Sequence, residues 1–274
     1  MDLQAKSRAL EARLSDLLQE DVAIAFSGGV DSGLLLALCC DAAARHGTRV
    51  HAFTVHSDMH PLGDIGHARK MAEDAGVPFH EIHVDELREA GIGNNPPDRC
   101  YRCKAALFGK IRQRAADLGI RHVLDGTNED DLHVYRPGLR ALRELGILSP
   151  LAEFHLGKEE VRTLAAARGL AIASRPSSPC MATRFPYGTA LSYERMRRVD
   201  EAEGWIRSRG FANVRVRVHG DIARIETDAA DLERLLALRG EVVAELKKKG
   251  FPYVTLDLEG FRSGSMDIHI EKEG

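Results

Sequence analysis

No apolar run in the sequence is long enough to cross a bilayer. The longest, Gly33–Cys40, falls far short of the about 20 residues a spanning helix needs. The opening residues MDLQAKSRALEARL alternate charge with leucine and hold no apolar core, so no secretory signal is expected and the cytoplasm is the expected compartment. A dominant charge of one sign is also missing: 38 basic and 41 acidic side chains leave a net charge of −3, which gives no overall nucleic-acid footprint. The five cysteines are too few and too irregularly placed for a disulfide framework. There is no internal repeat and no low-complexity tail. With 44% apolar and 29% charged residues, the 274-residue chain has the composition of a globular protein, one large domain or a large one with a small one.

Two phosphate-binding motifs are absent as well. A G-x-x-x-x-G-K-[ST] loop would have supplied a lysine for a γ-phosphate, and G-x-G-x-x-G would have signalled a dinucleotide fold. What the sequence has instead is Ser27-Gly28-Gly29-Val30-Asp31-Ser32, delivered by the short apolar run Val22–Phe26 and followed by the pattern of a buried helix. Glycines let backbone N–H groups approach an anion closely, and a helix N-terminus adds a favourable partial charge. The two serines add hydroxyl donors. Asp31 would repel a phosphate unless a magnesium ion bridged the two. At the carboxyl end of a first strand, where open sheets bind ligands, the segment is read as a nucleotide-phosphate loop rather than a plain turn.

Further along, His51–Val55, Phe79–Val84 and His122–Leu124 read as strands, with helical periodicity over residues 3–19, Ile65–Ala75 and Lys104–Leu118 and a helix beginning near Lys158. Strands alternating with helices predict an α/β domain, a parallel sheet with helices on both faces. Ala173–Gly188, with three prolines and no periodicity, is a loop of the kind that carries function on a rigid scaffold. A helix over Tyr193–Arg209, strands at Val214–His219 and Ala223–Glu226, a helix over Asp231–Lys248 and a strand near Val254–Leu258 form a smaller α+β unit. The expected domains are 1–188 and 189–274.

Cys39 and Cys40 lie in an apolar helical stretch and read as small hydrophobes. Cys100, Cys103 and Cys180 lie among proline, arginine and polar residues, outside any core pattern. In Val214-Arg215-Val216-Arg217-Val218 strict alternation puts valines on one strand face and arginines on the other. Two adjacent guanidinium forks suit a phosphate, although a solvated face would read the same way.

SGGVDS resembles the PP-loop of the ATP-pyrophosphatase superfamily. Asn95–Lys104 (NPPDRCYRCK), Asp125–Asn128 (DGTN), Tyr135–Arg140 (YRPGLR), Pro176–Cys180 (PSSPC), Val214–Arg217 (VRVR) and Gly260–Gly264 (GFRSG) resemble the LarE family, in the family's order and over nearly the whole chain. The resemblance implies a PP-loop fold and ATP cleavage to AMP and pyrophosphate, with sulfur transfer onto a carboxylate of pyridinium-3,5-dicarboxylate mononucleotide on the route to a nickel-pincer cofactor. It implies ATP phosphate binding by Ser27, Gly28, Gly29, Asp31 and Ser32, with Asp31 also catalytic. Gly126, Thr127 and Asn128 would close the nucleotide pocket, with Val55–Ser57 beside the adenosine. Arg215 and Arg217, with Arg184, would hold the substrate. A small-molecule substrate, no nucleic acid, no membrane and a homo-oligomer complete the expectation.

Sulfur transfer needs a nucleophilic thiolate, which positive neighbours favour. Cys180, between Arg175 and Arg184, is the catalytic candidate. By resemblance it could act sacrificially, leaving dehydroalanine. Alternatively Cys100, Cys103 and Cys180 could ligate a 4Fe–4S cluster that carries an exchangeable sulfide; thiolates suit such clusters, and this is the favoured reading. A zinc site completed by His133 or His155, or a redox pair at Cys100 and Cys103, stays open. Glu203 and Asp231 are weaker acidic or metal-binding candidates. Rival functions are a PP-loop tRNA thiolase and a non-catalytic adenine-nucleotide sensor. An amide-forming synthetase lacks an ammonia source here.

Overall fold

The computed structural model describes residues 2–59, 64–133, 137–170, 180–262 and 265–266. The chain divides into two compact units. The first comprises Met1–Ser57, Gly63–Ala90 and Asp98–Ser177, the second Asp58–Leu62, Gly91–Pro97 and Ser178–Gly274.

In chain order the first unit holds α1 (Leu3–Leu17), β1 (Val22–Ala25), α2 (Val30–His46), β2 (Val50–His56), α3 (Asp64–Asp74), β3 (Phe79–His83), α4 (Glu86–Glu89), α5 (Arg99–Asp117), β4 (His122–Asp125), α6 (Glu129–Leu132), α7 (Gly138–Glu144), α8 (Pro150–Glu153) and α9 (Lys158–Ala167). The four strands are all parallel, in the order β3-β2-β1-β4. Alternation along β1 sends Val22 and Ile24 into one apolar layer with Leu10, Leu14, Leu34 and Leu38, and Ala23 into another with Phe53, Phe108, Ile111 and Val123. A sheet covered on both faces needs apolar residues at successive positions, which is why β1 reads as a continuous run. The order reverses direction at β1: β2 and β3 lie to one side, β4 to the other. Such a switch point opens a crevice at the strands' carboxyl ends.

The second unit holds α10 (Tyr193–Ser208), β5 (Val214–His219), β6 (Ile222–Thr227), α11 (Leu232–Ala237), α12 (Arg239–Lys248) and β7 (Tyr253–Leu256). β5 and β6 form an antiparallel hairpin and β7 pairs parallel to β6. Met196, Val199, Ala202 and Ile206 of α10 are buried, as are Val214, Val216 and Val218 of β5, and the two elements pack together. Asn95, fully buried at φ 48°, donates to the carbonyls of Phe185 and Pro186 at 3.0 and 2.8 Å, tying the Gly91–Pro97 segment into this unit.

Three local expectations change. α5 starts at Arg99 rather than Lys104, so Cys100 and Cys103 belong to its first turn. The helix expected over Asp231–Lys248 breaks at Leu238, whose ψ of 8° interrupts it, into α11 and α12. Met181–Arg184 is a single 3-10 turn inside the expected loop; Arg175 and Pro176–Pro179 lie outside the described residues.

A buried ion pair anchors the second unit. Arg184 and Glu203, 2% and 1% exposed, meet through two parallel N–H···O bonds of 2.9 Å, and Glu203 also accepts the Val216 amide at 2.9 Å. Burial by itself raises the Glu203 carboxyl, but Arg184 and the Val216 amide together outweigh it and leave it below the usual carboxylate range. Arg184→Met strands a buried carboxylate and is expected to cost about 3–5 kcal/mol, read as a lower urea midpoint. Because the folded-state pKa is depressed, this contribution is complete above the ordinary carboxylate range and is lost as the pH falls below it through the depressed folded value. Stability between about pH 7 and about pH 3 should therefore fall more steeply in the parent than in Glu203→Gln.

Candidate active site

Ser27–Ser32 leaves β1 at the switch point and enters α2. Gly28 takes φ +70°, and a Cβ there would stand 3.0 Å from the Ala68 Cβ of α3, so glycine is required on both counts. Gly29 caps α2 without a side-chain hydrogen bond, which keeps the helix's first amides available to an anion. The Ser27 and Ser32 hydroxyls lie 3.2 Å apart, and Ser32 donates to the Gly29 carbonyl at 3.3 Å.

The loop after β4 closes on this one. A Cβ at Gly126 would lie 2.8 Å from the Ser32 amide nitrogen, so only glycine lets the two backbones pass. Thr127 donates to Asp125 at 2.6 Å and Ser149 to the other oxygen of the same carboxylate at 2.5 Å, which holds the turn. Asn128 caps α6, accepting the Asp131 amide at 3.3 Å, while its Nδ2 donates to Asp31 at 3.2 Å. The phosphate-loop residues and Gly126–Asn128 thus form one cluster.

Sequence reasoning missed Lys158. In the first turn of α9, its ammonium ion-pairs with the other oxygen of Asp31, both side chains being partly buried. The pair joins the loop to a helix 127 residues downstream. Its position in the sequence, at a helix start beside two glutamates, gave no sign of this.

Glu86 was missed too. Ser57, buried at the end of β2, donates to one of its oxygens, and the Cys103 thiol lies 3.5 Å from the other. This carboxylate is 1% exposed. It joins the residue expected beside the adenosine to one of the expected sulfur-handling cysteines. A single glutamate in a short turn carries no pattern by which sequence could single it out.

Cys100 is exposed and Cys103 half-buried, three residues apart on the first turn of α5 and hence on neighbouring positions of its surface. Cys39 differs: burial first, then its neighbour Cys40, pushes its thiol far above the ordinary range. Burial, with Asp41, raises Cys40 as well. Both fit the reading as small hydrophobes. His133 and His155 both hydrogen-bond Glu129, at 2.7 and 3.0 Å.

In the second unit, half-buried Cys180 precedes the Met181–Arg184 turn, and its carbonyl accepts from the Thr183 hydroxyl at 2.8 Å. Arg184 is committed to Glu203. Arg217, 5% exposed, bonds Glu226 at 3.0 Å and the Thr183 carbonyl at 2.9 Å, so it does not belong to a solvated face. Arg215 is different. It donates to the Val214 carbonyl at 2.7 Å and lies 5.2 Å from the Phe261 ring, but among the described residues no carboxylate pairs with it. Burial first, then Arg184, pushes its pKa down to about 10, against the partial opposition of Glu203. Asp231 caps the helix start of α11 and pairs with Arg234 at 2.8 Å. Tyr135, Arg136, Ser263 and Gly264 lie outside the described residues.

Residues 7–90 match the family model described as Asparagine synthase. The chain is 39% identical over 270 residues to the pyridinium-3,5-bisthiocarboxylic acid mononucleotide synthase of Lactiplantibacillus plantarum, covering 98% of this chain and 96% of the relative. It is 36% identical over 270 residues to an uncharacterized protein of Synechocystis, covering 96% and 100%. A tRNA-specific 2-thiouridylase of Frankia alni is 32% identical over 190 residues, only 57% of this chain and 53% of that protein.

Gly126→Ala tests the loop contact. The added methyl must push one of two backbones aside, so ATP affinity measured by calorimetry is expected to fall at least about tenfold, roughly 1.4 kcal/mol. The thermal midpoint should move by only a few degrees, because Gly126 lies outside both apolar layers.

Proposed function

The chain belongs to the LarE family of ATP-dependent sulfur transferases, and on that premise we propose that it adenylates a carboxylate of pyridinium-3,5-dicarboxylate mononucleotide and replaces the activated oxygen by sulfur. The observation that carries this reading is the match over nearly the full length of both chains. The thiouridylase likeness spans about half of each chain and supports the ATP chemistry that the two share, not a tRNA substrate.

The residues assign the steps. A substrate carboxylate oxygen attacks the α-phosphorus of ATP and pyrophosphate leaves. Sulfide then adds to the acyl carbon, the C–O bond to AMP breaks, and a thiocarboxylate, AMP and a proton result. The loop amides and the Ser27 and Ser32 hydroxyls hold the phosphates. Asp31 fits a magnesium ion, which takes one or two carboxylates together with phosphate oxygens and supplies charge neutralisation there. Lys158, released from Asp31, then faces the departing pyrophosphate and stabilises the charge that develops on it. Arg215, with cationic neighbours and, among the described residues, no carboxylate paired with it, takes the phosphate of the mononucleotide.

Cys100, Cys103 and Cys180 are proposed as ligands of a 4Fe–4S cluster. Three thiols outside the apolar layers, two of them on one helical turn, suit it. Such a cluster would supply sulfide without consuming the polypeptide.

The products distinguish this reaction from phosphoryl transfer: AMP and pyrophosphate are expected, and ADP with orthophosphate would refute the reading. Lys158→Met should lower kcat by roughly tenfold to a hundredfold, the worth of one charge-assisted contact. Arg215→Ala should raise the KM for the mononucleotide by a similar factor and leave that for ATP unchanged.

Anaerobically prepared protein should contain about four irons per chain. Cys100→Ala, Cys103→Ala and Cys180→Ala should each lose the brown colour and multiple turnover with added sulfide. Unimpaired single-turnover transfer by a Cys100→Ala, Cys103→Ala double variant, with dehydroalanine at position 180 in the intact mass, would establish the sacrificial route instead.

A further inference from the structure

Three side chains at the carboxyl ends of β2 and β3 take no part in this chemistry. In the parallel register His56 stands opposite His83, and Thr54 opposite Glu81. With a period of two, His56, Glu81 and His83 therefore project from the same face of the sheet. β3 is an edge strand, so this corner of the sheet is open to solvent. One nitrogen from each histidine and one carboxylate oxygen all lie within 4.8 Å of one another, and among the described residues no other histidine, cysteine, aspartate or glutamate trio does so.

We propose that His56, Glu81 and His83 form a binding site for a divalent transition-metal ion, zinc foremost.

The donor spacing suits such an ion. Around zinc, bonds of about 2.0–2.1 Å put tetrahedral donors about 3.4 Å apart. The His83 Nε2 to Glu81 Oε1 distance is already 3.5 Å. The His56 Nδ1 to Glu81 Oε1 distance is 2.5 Å, a hydrogen bond that opens by under an ångström when a cation replaces the shared proton and the imidazole proton moves to Nε2. The two rings face each other with centroids 4.6 Å apart and planes at 37°. Arg69 of α3 donates to Glu81 Oε2, the oxygen that the histidines leave, and so orients the carboxylate with Oε1 turned to the site. Outer partners of that kind orient metal-ligating carboxylates generally.

Two imidazoles and a carboxylate favour zinc, cobalt, nickel or copper over magnesium and calcium, which take oxygen donors. Three protein ligands leave a fourth position for water or an anion. His56 is followed directly by Ser57, so a bound cation would tighten the end of β2 where the nucleotide is expected. The site shares no residue with the three cysteines or with Asp31, and it stands whether or not the cluster reading does.

The test is stoichiometry. Untagged full-length parent and His83→Ala chains are dialysed against micromolar zinc and the bound metal is counted. His83 is mostly exposed, so its replacement leaves the fold intact. The parent is expected to hold one more equivalent than His83→Ala, or to bind that equivalent at least tenfold more tightly. A Cys100→Ser, Cys103→Ser, Cys180→Ser chain should retain it. Equal zinc in the parent and His83→Ala chains would overturn the proposal, as would loss of that equivalent from the cysteine variant alone.

Discussion

Between Gly126 and the Ser32 amide there is no room for a methyl group, since a Cβ at 126 would stand 2.8 Å from that nitrogen. This proximity follows from β1 and β4 being neighbours although much of the first unit separates them in sequence. A parallel pair needs a long crossover, and the chain completes β2, β3 and their helices before β4 returns to the other side of β1. The two loops that leave these strands then face each other across the switch point. Asp31 of one and the capping asparagine of the other become parts of a single cluster, which depends on that backbone contact.

Charge in the site is arranged around Asp31. An aspartate in a phosphate loop is unfavourable alone. Here Asn128 donates to one oxygen and Lys158 pairs with the other, which offsets that charge. Were a magnesium ion to take the carboxylate, as proposed, Lys158 would be left to face the polyphosphate. Under the proposed reaction, Lys158 would bring from a separate helix the positive charge that a P-loop carries within its own motif. Glu86 extends this economy to the far end of β2, where one buried carboxylate contacts both Ser57 and Cys103.

The second unit divides its arginines by burial and partner. Arg184 and Arg217 are almost fully buried against Glu203 and Glu226, and their role is to hold the hairpin, α10 and the turn after Cys180 in place. Arg215 gains its positive neighbours from that packing but, among the described residues, no carboxylate pairs with it. Desolvation then works against its charge, and the phosphate dianion of the proposed substrate would relieve the imbalance.

Much of this was legible in the sequence. The period-2 and period-3.6 patterns gave the alternation of strands and helices, because burial on a sheet face or helix stripe is a local repeat. SGGVDS at a strand end marked the loop between β1 and α2, where Gly28 takes φ +70° against Ala68. The Val-Arg alternation of β5 was equally plain. The sequence could not tell Arg184, Arg215 and Arg217 apart, because pairing with Glu203 and Glu226 is a matter of which elements pack together. Nor could it show that Lys158 reaches Asp31, that Glu86 links Ser57 to Cys103, or that His56, Glu81 and His83 share one corner of the sheet. Each of those contacts is made by residues on different elements, and only the strand order and register of the folded chain bring them within bonding distance.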